Sequence, residues 1–137
     1  MSLYKEFGTS NKKEEGIKVE PMAGFFFTIK RSGGSNKAYS EAATRRLRPF
    51  VQRFNSGKNI PLDTIQEINI ELFVEYILLG WSENVTDRSG NQLPFTKDNA
   101  KKLLQDLPEL YSFLSDEAGN LDNFKDSEEI AGKSLPA

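Results

Sequence analysis

The segment PLDTIQEINIELFVEYILLG, residues 61–80, decides the fold of this chain. Pro61 suits the first turn of a helix and Gly80 suits its end, and the apolar residues between them recur at helical spacing over more than one face. We therefore predict a helix to about Leu79, placed at the centre of a domain or against a second protein. Two capping boxes are available at its start, Asp63 with Gln66 and Thr64 with Glu67.

The flanking sequence adds more helices and a small β element. Residues 17–20 and 25–30 alternate or are aromatic and β-branched, which predicts an antiparallel pair of strands. A helix is expected over about 37–54, kinked or split near Arg48 by Pro49. The remaining expected elements are a loop or small hairpin over 81–95, a helix capped by Thr96, a helix capped by Asp106 that ends at Gly119, and a short turn over 121–124.

The expected class is thus mainly α with a small N-terminal β element (α+β), in one compact helical domain over residues 16–125. Residues 1–15 are polar and charged, and we expect them to form a flexible N-terminal arm. Residues 126–137 are acidic and poor in large apolar groups, and we expect a flexible C-terminal tail.

Composition narrows the chemistry of the protein. The 137 residues include no cysteine and no histidine, which excludes disulfides, thiolate nucleophiles, Cys/His zinc sites and Ser-His-Asp triads. The carboxylates lie in no apolar context that would raise their pKa, so we expect no enzyme activity, no catalytic residue, no metal and no cofactor. No apolar run approaches the ~20 residues of a membrane span and no signal peptide is evident, which favours a cytoplasmic protein.

Charge is segregated along the chain. Residues 30–58 carry eight basic residues against one acidic residue, whereas residues 59–95 carry six acidic residues against one basic residue. Within the central helix four acidic residues repeat in steps of four and so share one face, where like charges cost about 0.2–0.5 kcal/mol per pair in an isolated helix. We call these residues the acidic stripe: Asp63, Glu67, Glu71 and Glu75. The cations available on the preceding helix are Arg45, Arg48 and Arg53.

The charge pattern supports three interpretations. The two helices pair within one chain and leave the remaining charges in water. Alternatively, the basic and acidic faces meet between neighbouring copies in a head-to-tail contact, which gives open spirals unless the rotation closes. In the third interpretation the basic helix over 37–54 binds phosphates, although the acidic remainder of the chain and the lack of a known motif favour no nucleic-acid partner.

Short motifs follow one another in a specific order along the chain. The upstream part of the series is an aromatic strand over 25–31, then 36–38 and 48–50. The downstream part is Gly80-Trp81, Val85-Thr86-Asp87, Gly90, Leu93-Pro94-Phe95-Thr96, Asn99-Ala100, Leu103-Leu104, Asp106-Leu107-Pro108 and Asn123-Phe124. This order resembles that of the tail assembly chaperones of long-tailed phages and prophages, and the resemblance covers about residues 16–125.

The resemblance implies a largely helical, non-catalytic protein that keeps the tape measure protein soluble during tail morphogenesis. Such a protein acts in the cytoplasm of the bacterial host and is absent from the mature virion. The resemblance further implies self-association into oligomers and, in many cases, a longer frameshifted form that recruits the major tail protein. For the helical client we predict docking through Phe73, Tyr76 and Ile77, with ordinary core packing as the alternative for the same three residues.

Other function classes stay open at this point. A structural or completion protein of the phage tail is the first alternative, although such proteins are usually rich in β structure. A small nucleic-acid-binding regulator that uses the basic helix is the second. A hydrolase that uses bare carboxylates is the last.

Overall fold

The computed structural model describes residues 2–125, which form six α-helices, three β-strands and one 3-10 helix. In chain order the elements are α1 (Leu3–Phe7), α2 (Asn11–Glu15), β1 (Ile17–Met22), β2 (Phe25–Ile29), α3 (Lys37–Asn55), α4 (Leu62–Tyr76), β3 (Leu78–Trp81), α5 (Lys97–Asp106), α6 (Pro108–Gly119) and the 3-10 helix (Leu121–Phe124). The predicted class, mainly α with a small β element, is confirmed.

The sheet has the predicted antiparallel pair and one additional strand. β1 pairs with β2 through a turn in which Gly24 has a φ of 86°, a conformation that favours glycine. β3 pairs antiparallel with the other edge of β2, which gives the strand order β1-β2-β3. The prediction that the central helix continues to Leu79 is therefore wrong, because the residues after Ile77 supply the backbone partners that the second edge of β2 needs.

The predicted caps are only partly correct. Thr96 caps α5, and its hydroxyl accepts a hydrogen bond from the Asn99 N–H at 3.1 Å. Neither capping box at α4 forms, because Pro61 is the N-cap and places Asp63 inside the first turn. No side-chain cap from Asp106 is present at α6 either. Leu107 is the N-cap there, and the proline that follows it in the first turn removes one of the N–H groups that a cap would satisfy.

Of the two effects predicted for Pro49, a kink or a split near Arg48, the split is absent from the long basic helix α3. It continues through Pro49, which lies on the exposed side of the helix. The carbonyl group that a proline deprives of its partner can therefore be hydrated there.

The core lies between the sheet and the helices α4, α5 and α6. The helix α4 is central as predicted, since it packs on α3, on α5 and beside β3. The main core consists of thirteen buried side chains: Val19, Phe27, Ile29, Ile70, Phe73, Val74, Ile77, Leu78, Val85, Ala100, Leu104, Leu114 and Ala118. A second, smaller cluster of Ala42, Ile68 and Leu72 joins α3 to α4.

The segment predicted as a flexible N-terminal arm contains α1 and α2. α2 is tied to the domain, since the Ser10 N–H donates to the Phe124 carbonyl oxygen at 2.9 Å and Glu14 pairs with Arg31. α1 contains no buried residue. The mobility of this segment stays a prediction, and the tail predicted over 126–137 lies outside the described residues.

Candidate protein-binding site

The acidic stripe lies on the face of α4 between α3 and α5, where basic side chains of both neighbours reach it. Glu71 bridges the two neighbours, since its carboxylate accepts from Arg46 at 3.0 Å and from the Lys101 Nζ at 3.0 Å. Lys101 also approaches Glu67 at 3.4 Å, and Lys97 donates to Glu75 at 2.6 Å. These contacts place most of the stripe in pairs within one chain.

These contacts shift the protonation of the central pair. The hydrogen bond from Lys101, followed by that from Arg46, holds the pKa of Glu71 below its ordinary value of 4.5 despite partial burial. The same contact with Glu71 raises the pKa of Lys101 above 10.5. Glu71 and Lys101 are therefore both charged at neutral pH. The contacts of Glu71 with Arg46 and with Lys101 link α4 to α3 and to α5.

We expect Glu71→Gln to reduce the acid sensitivity of the fold. Because the pKa of Glu71 is lower in the folded than in the unfolded chain, its contribution to stability is complete above about pH 4.5 and is lost as the pH falls through the folded value. The wild type should lose more unfolding free energy between about pH 6 and pH 3 than the variant does, by less than about 1 kcal/mol for a half-exposed pair. Urea titrations at both pH values measure this difference, and Glu83→Gln is the matched control. An equal loss in wild type and Glu71→Gln would contradict the assigned pairing.

The cations that pair with the stripe are not the three that the sequence suggests. Arg45, Arg48 and Arg53 lie on exposed positions of α3, and no ion pair within residues 2–125 includes them. Asp63 is likewise exposed and has no ion pair in the same range. A contact between copies through charged faces would therefore draw on these four residues, and it stays a prediction.

The three residues predicted to contact a client lie at the end of α4, with Ile77 as its C-cap. Phe73 is 2% exposed, Ile77 is 1% exposed and Tyr76 is half-buried. Phe73 packs edge-to-face on Tyr111 at a centroid distance of 5.4 Å, and burial raises the pKa of the Tyr111 phenol. The structure favours the core-packing alternative for these residues, because Phe73 and Ile77 belong to the main core and Tyr76 packs against both buried clusters.

A different surface offers apolar side chains to a partner. A groove of about 420 Å³ opens between the β1–β2 turn and the corner where α5 meets α6, and we call it the apolar groove. Its floor includes Phe27 and Val85, both buried, and its mouth includes Met22, which is 66% exposed. The other apolar lining residues are Pro21, Phe25, Leu103, Leu107, Leu110 and Phe113.

Local structure explains why these side chains converge. α5 ends at Asp106 and α6 begins at Pro108, so Leu103 and Leu110 come from two helices that meet at one residue. The turn after β1 brings the side chain of Met22 to the same corner. Charged atoms are few at this site, and Glu109 is the carboxylate of the lining.

A partner would bind in the groove by burying apolar surface. Its size and lining match a site for a few large apolar side chains of a partner, with Glu109 at the rim to fix orientation. No group of three or more potential metal ligands occurs in the part of the chain that the structure describes. Across residues 2–125, none of the helices combines the length and apolar character that a membrane span requires.

Comparison with known proteins gives one family. The family model described as YdaY prophage protein matches residues 34–133, a range that includes α3 to α6, β3 and one side of the apolar groove. The match covers more than half of the chain. No curated protein and no solved structure matches it.

Proposed function

We propose that this chain, which belongs to the YdaY prophage protein family, is a non-catalytic tail assembly chaperone whose client is the tape measure protein. The apolar groove is the observation that carries this proposal. A chaperone for a long helical client needs an accessible apolar surface, and it needs no reactive side chain.

The client would bind as an amphipathic helix. Such a helix presents apolar anchors at positions i, i+3 or i+4, and i+7, which enter a groove of this kind one after another. Met22 and Leu107 lie on opposite sides of the groove and are both well exposed, so they would contact the helix first. The buried Val85 and Phe27 would limit the depth of entry.

The proposal also assigns a place and time of action. The protein would work in the cytoplasm of the bacterial host before the tail tube forms and would be absent from the mature virion. A longer frameshifted form, where made, would add the contact to the major tail protein. Several copies of the short form would bind along one client, each through its own groove.

Co-expression with the tape measure protein from the same locus tests the proposal. The wild type should keep the client in the soluble fraction, and the double variant Met22→Asp/Leu107→Asp should reduce the soluble client at least about tenfold, since charges in a central apolar contact typically cost 2 kcal/mol or more. Both positions are exposed, so the variant should fold.

Leu62→Asp is the matched control for this experiment. Leu62 is 73% exposed and lies at the start of α4, outside the groove lining. The Leu62→Asp variant should keep as much tape measure protein soluble as the wild type does. The proposal fails if the client precipitates to the same extent with and without the wild-type protein.

A further inference from the structure

We infer that the apolar groove of one copy binds helix α1 of a second copy, so that the groove is covered until a client arrives. The inference rests on the proposed function only for the identity of that client. Its structural basis is the segment Ser2–Phe7, the first part of the predicted N-terminal arm, together with the position of this segment relative to the groove. We call this shorter segment the arm from here on.

Within residues 2–125, the apolar side chains of α1 are largely uncovered. Ser2 caps α1, and the side chains of Leu3, Tyr4 and Phe7 are 77%, 88% and 63% exposed. The spacing of three and four residues to Phe7 places all three on one side of the helix. A cluster of three exposed apolar side chains is suited to bind an apolar surface of a partner.

The arm lies at the opposite end of the domain from the groove. The Ser10–Phe124 hydrogen bond fixes the residues that follow the arm beside the 3-10 helix. This point lies near the start of β1 and just after the end of α6. The groove lies at the end of β1 and the start of α6. A strand of six residues and a helix of twelve each span about 18 Å.

This separation makes the contact one between copies. Phe7 is three residues from Ser10 and so lies at most about 11 Å from it even when the linker is extended, which prevents α1 from placing all three apolar side chains in the groove of its own chain while Ser10 stays bound. When α1 of one copy binds in the groove of a second copy, α1 of the second copy can bind in the groove of a third copy in the same way. A head-to-tail contact of this kind produces open chains rather than closed dimers.

The two surfaces match in chemistry and in size. The groove is lined by apolar side chains with Glu109 at its rim, and the arm presents three apolar side chains with the exposed Lys5 beside them. One leucine and two aromatic side chains, at about 150–250 Å² for each aromatic, bury well below the ~1,200 Å² of a standard stable interface. The contact is accordingly weak and concentration-dependent, which lets a longer client helix displace it.

Sedimentation velocity over a concentration series tests the inference. The wild type should form a ladder of oligomers, and Leu3→Asp/Phe7→Asp in the full chain should weaken the association at least about tenfold. Phe54→Asp, which changes an equally exposed aromatic residue on α3, should associate as the wild type does. A wild type that stays monomeric, or an arm variant that associates normally, overturns the inference.

Salt separates this contact from one between charged faces. An apolar contact should persist at about 0.5 M NaCl, whereas pairing of Arg45, Arg48 and Arg53 with acidic residues of another copy should be screened. Oligomers that dissociate under these conditions overturn the arm–groove contact in favour of the charged faces.

Cysteine crosslinking gives a direct readout, because the chain contains no cysteine. A mixture of Leu3→Cys and Met22→Cys copies should form a mixed disulfide dimer on mild oxidation, and a mixture of Leu3→Cys and Phe54→Cys copies should not. Equal yields in the two mixtures would overturn the proposed contact.

The co-expression assay keeps the two proposals distinguishable. Leu3→Asp/Phe7→Asp should still keep the tape measure protein soluble, since the groove is intact. Loss of self-association in the arm variant would support the arm contact. If the client precipitates even with the wild type, the chaperone function is refuted while the arm contact still stands. Normal self-association of the arm variant with a soluble client would refute the arm contact alone.

Discussion

Replacing Phe73 with alanine should lower the free energy of unfolding by about 3–5 kcal/mol, the range for buried aromatic residues in a packed core. Phe73 is 2% exposed in the last turn of α4 and packs edge-to-face on Tyr111. Its removal leaves a cavity between α4 and α6 as well as a loss of apolar burial. Urea denaturation followed by circular dichroism measures the change.

Leu62→Ala on the same helix is the control for this substitution. Leu62 is largely exposed, so its truncation should change stability by no more than about 0.5 kcal/mol. The comparison also separates the two roles considered for Phe73. If Phe73→Ala kept wild-type stability and lost the ability to keep the tape measure protein soluble, Phe73 would be a client contact and its placement in the core would be wrong.

The local part of the fold follows from the sequence, and the non-local part does not. Helical periodicity and the Thr96 cap suffice for α5, and the aromatic run over 25–30 suffices for β2. The strand β3 was missed because Leu78–Trp81 continues the apolar run of α4 without a break. What turns it into a strand is the open edge of β2, about fifty residues earlier in the chain, which no local pattern reveals.

The same limit applies to the candidate site. The four-residue repeat of the acidic stripe is visible in the sequence, but its partners depend on how α3 and α5 pack on α4. Arg45 and Arg48 project from α3 in directions different from that of Arg46, and the packing of α3 on α4 brings Arg46 to Glu71. Lys97 and Lys101 have the i,i+4 spacing that would match the stripe, and this signal could have identified them. The groove combines three segments that lie far apart in the sequence, and no local pattern predicts that they come together.

Trp81→Ala should destabilise the protein by about 3 kcal/mol, at the lower end of the range for large aromatic residues because the indole is half-buried. The indole joins the sheet to the hairpin that follows it. Its Nε1–H donates to the Leu93 carbonyl oxygen at 2.8 Å, and its ring packs edge-to-face on Phe27 and Phe95. Thermal unfolding followed by circular dichroism measures the loss, because the variant has no other tryptophan to report by fluorescence.

Trp81→Phe distinguishes the hydrogen bond from the packing. Phenylalanine keeps an aromatic ring between Phe27 and Phe95 but leaves the Leu93 carbonyl without its donor, which should cost about 1 kcal/mol. Phe26→Ala, at an exposed position of β2, is the control and should stay within about 0.5 kcal/mol. If Trp81→Ala unfolded no more easily than Phe26→Ala, the hairpin would not depend on the indole. Val85 in the floor of the groove would then depend on the backbone contacts of the hairpin, which include the hydrogen bonds from the Leu93 N–H to the Val85 carbonyl oxygen and from the Asp87 N–H to the Asn91 carbonyl oxygen.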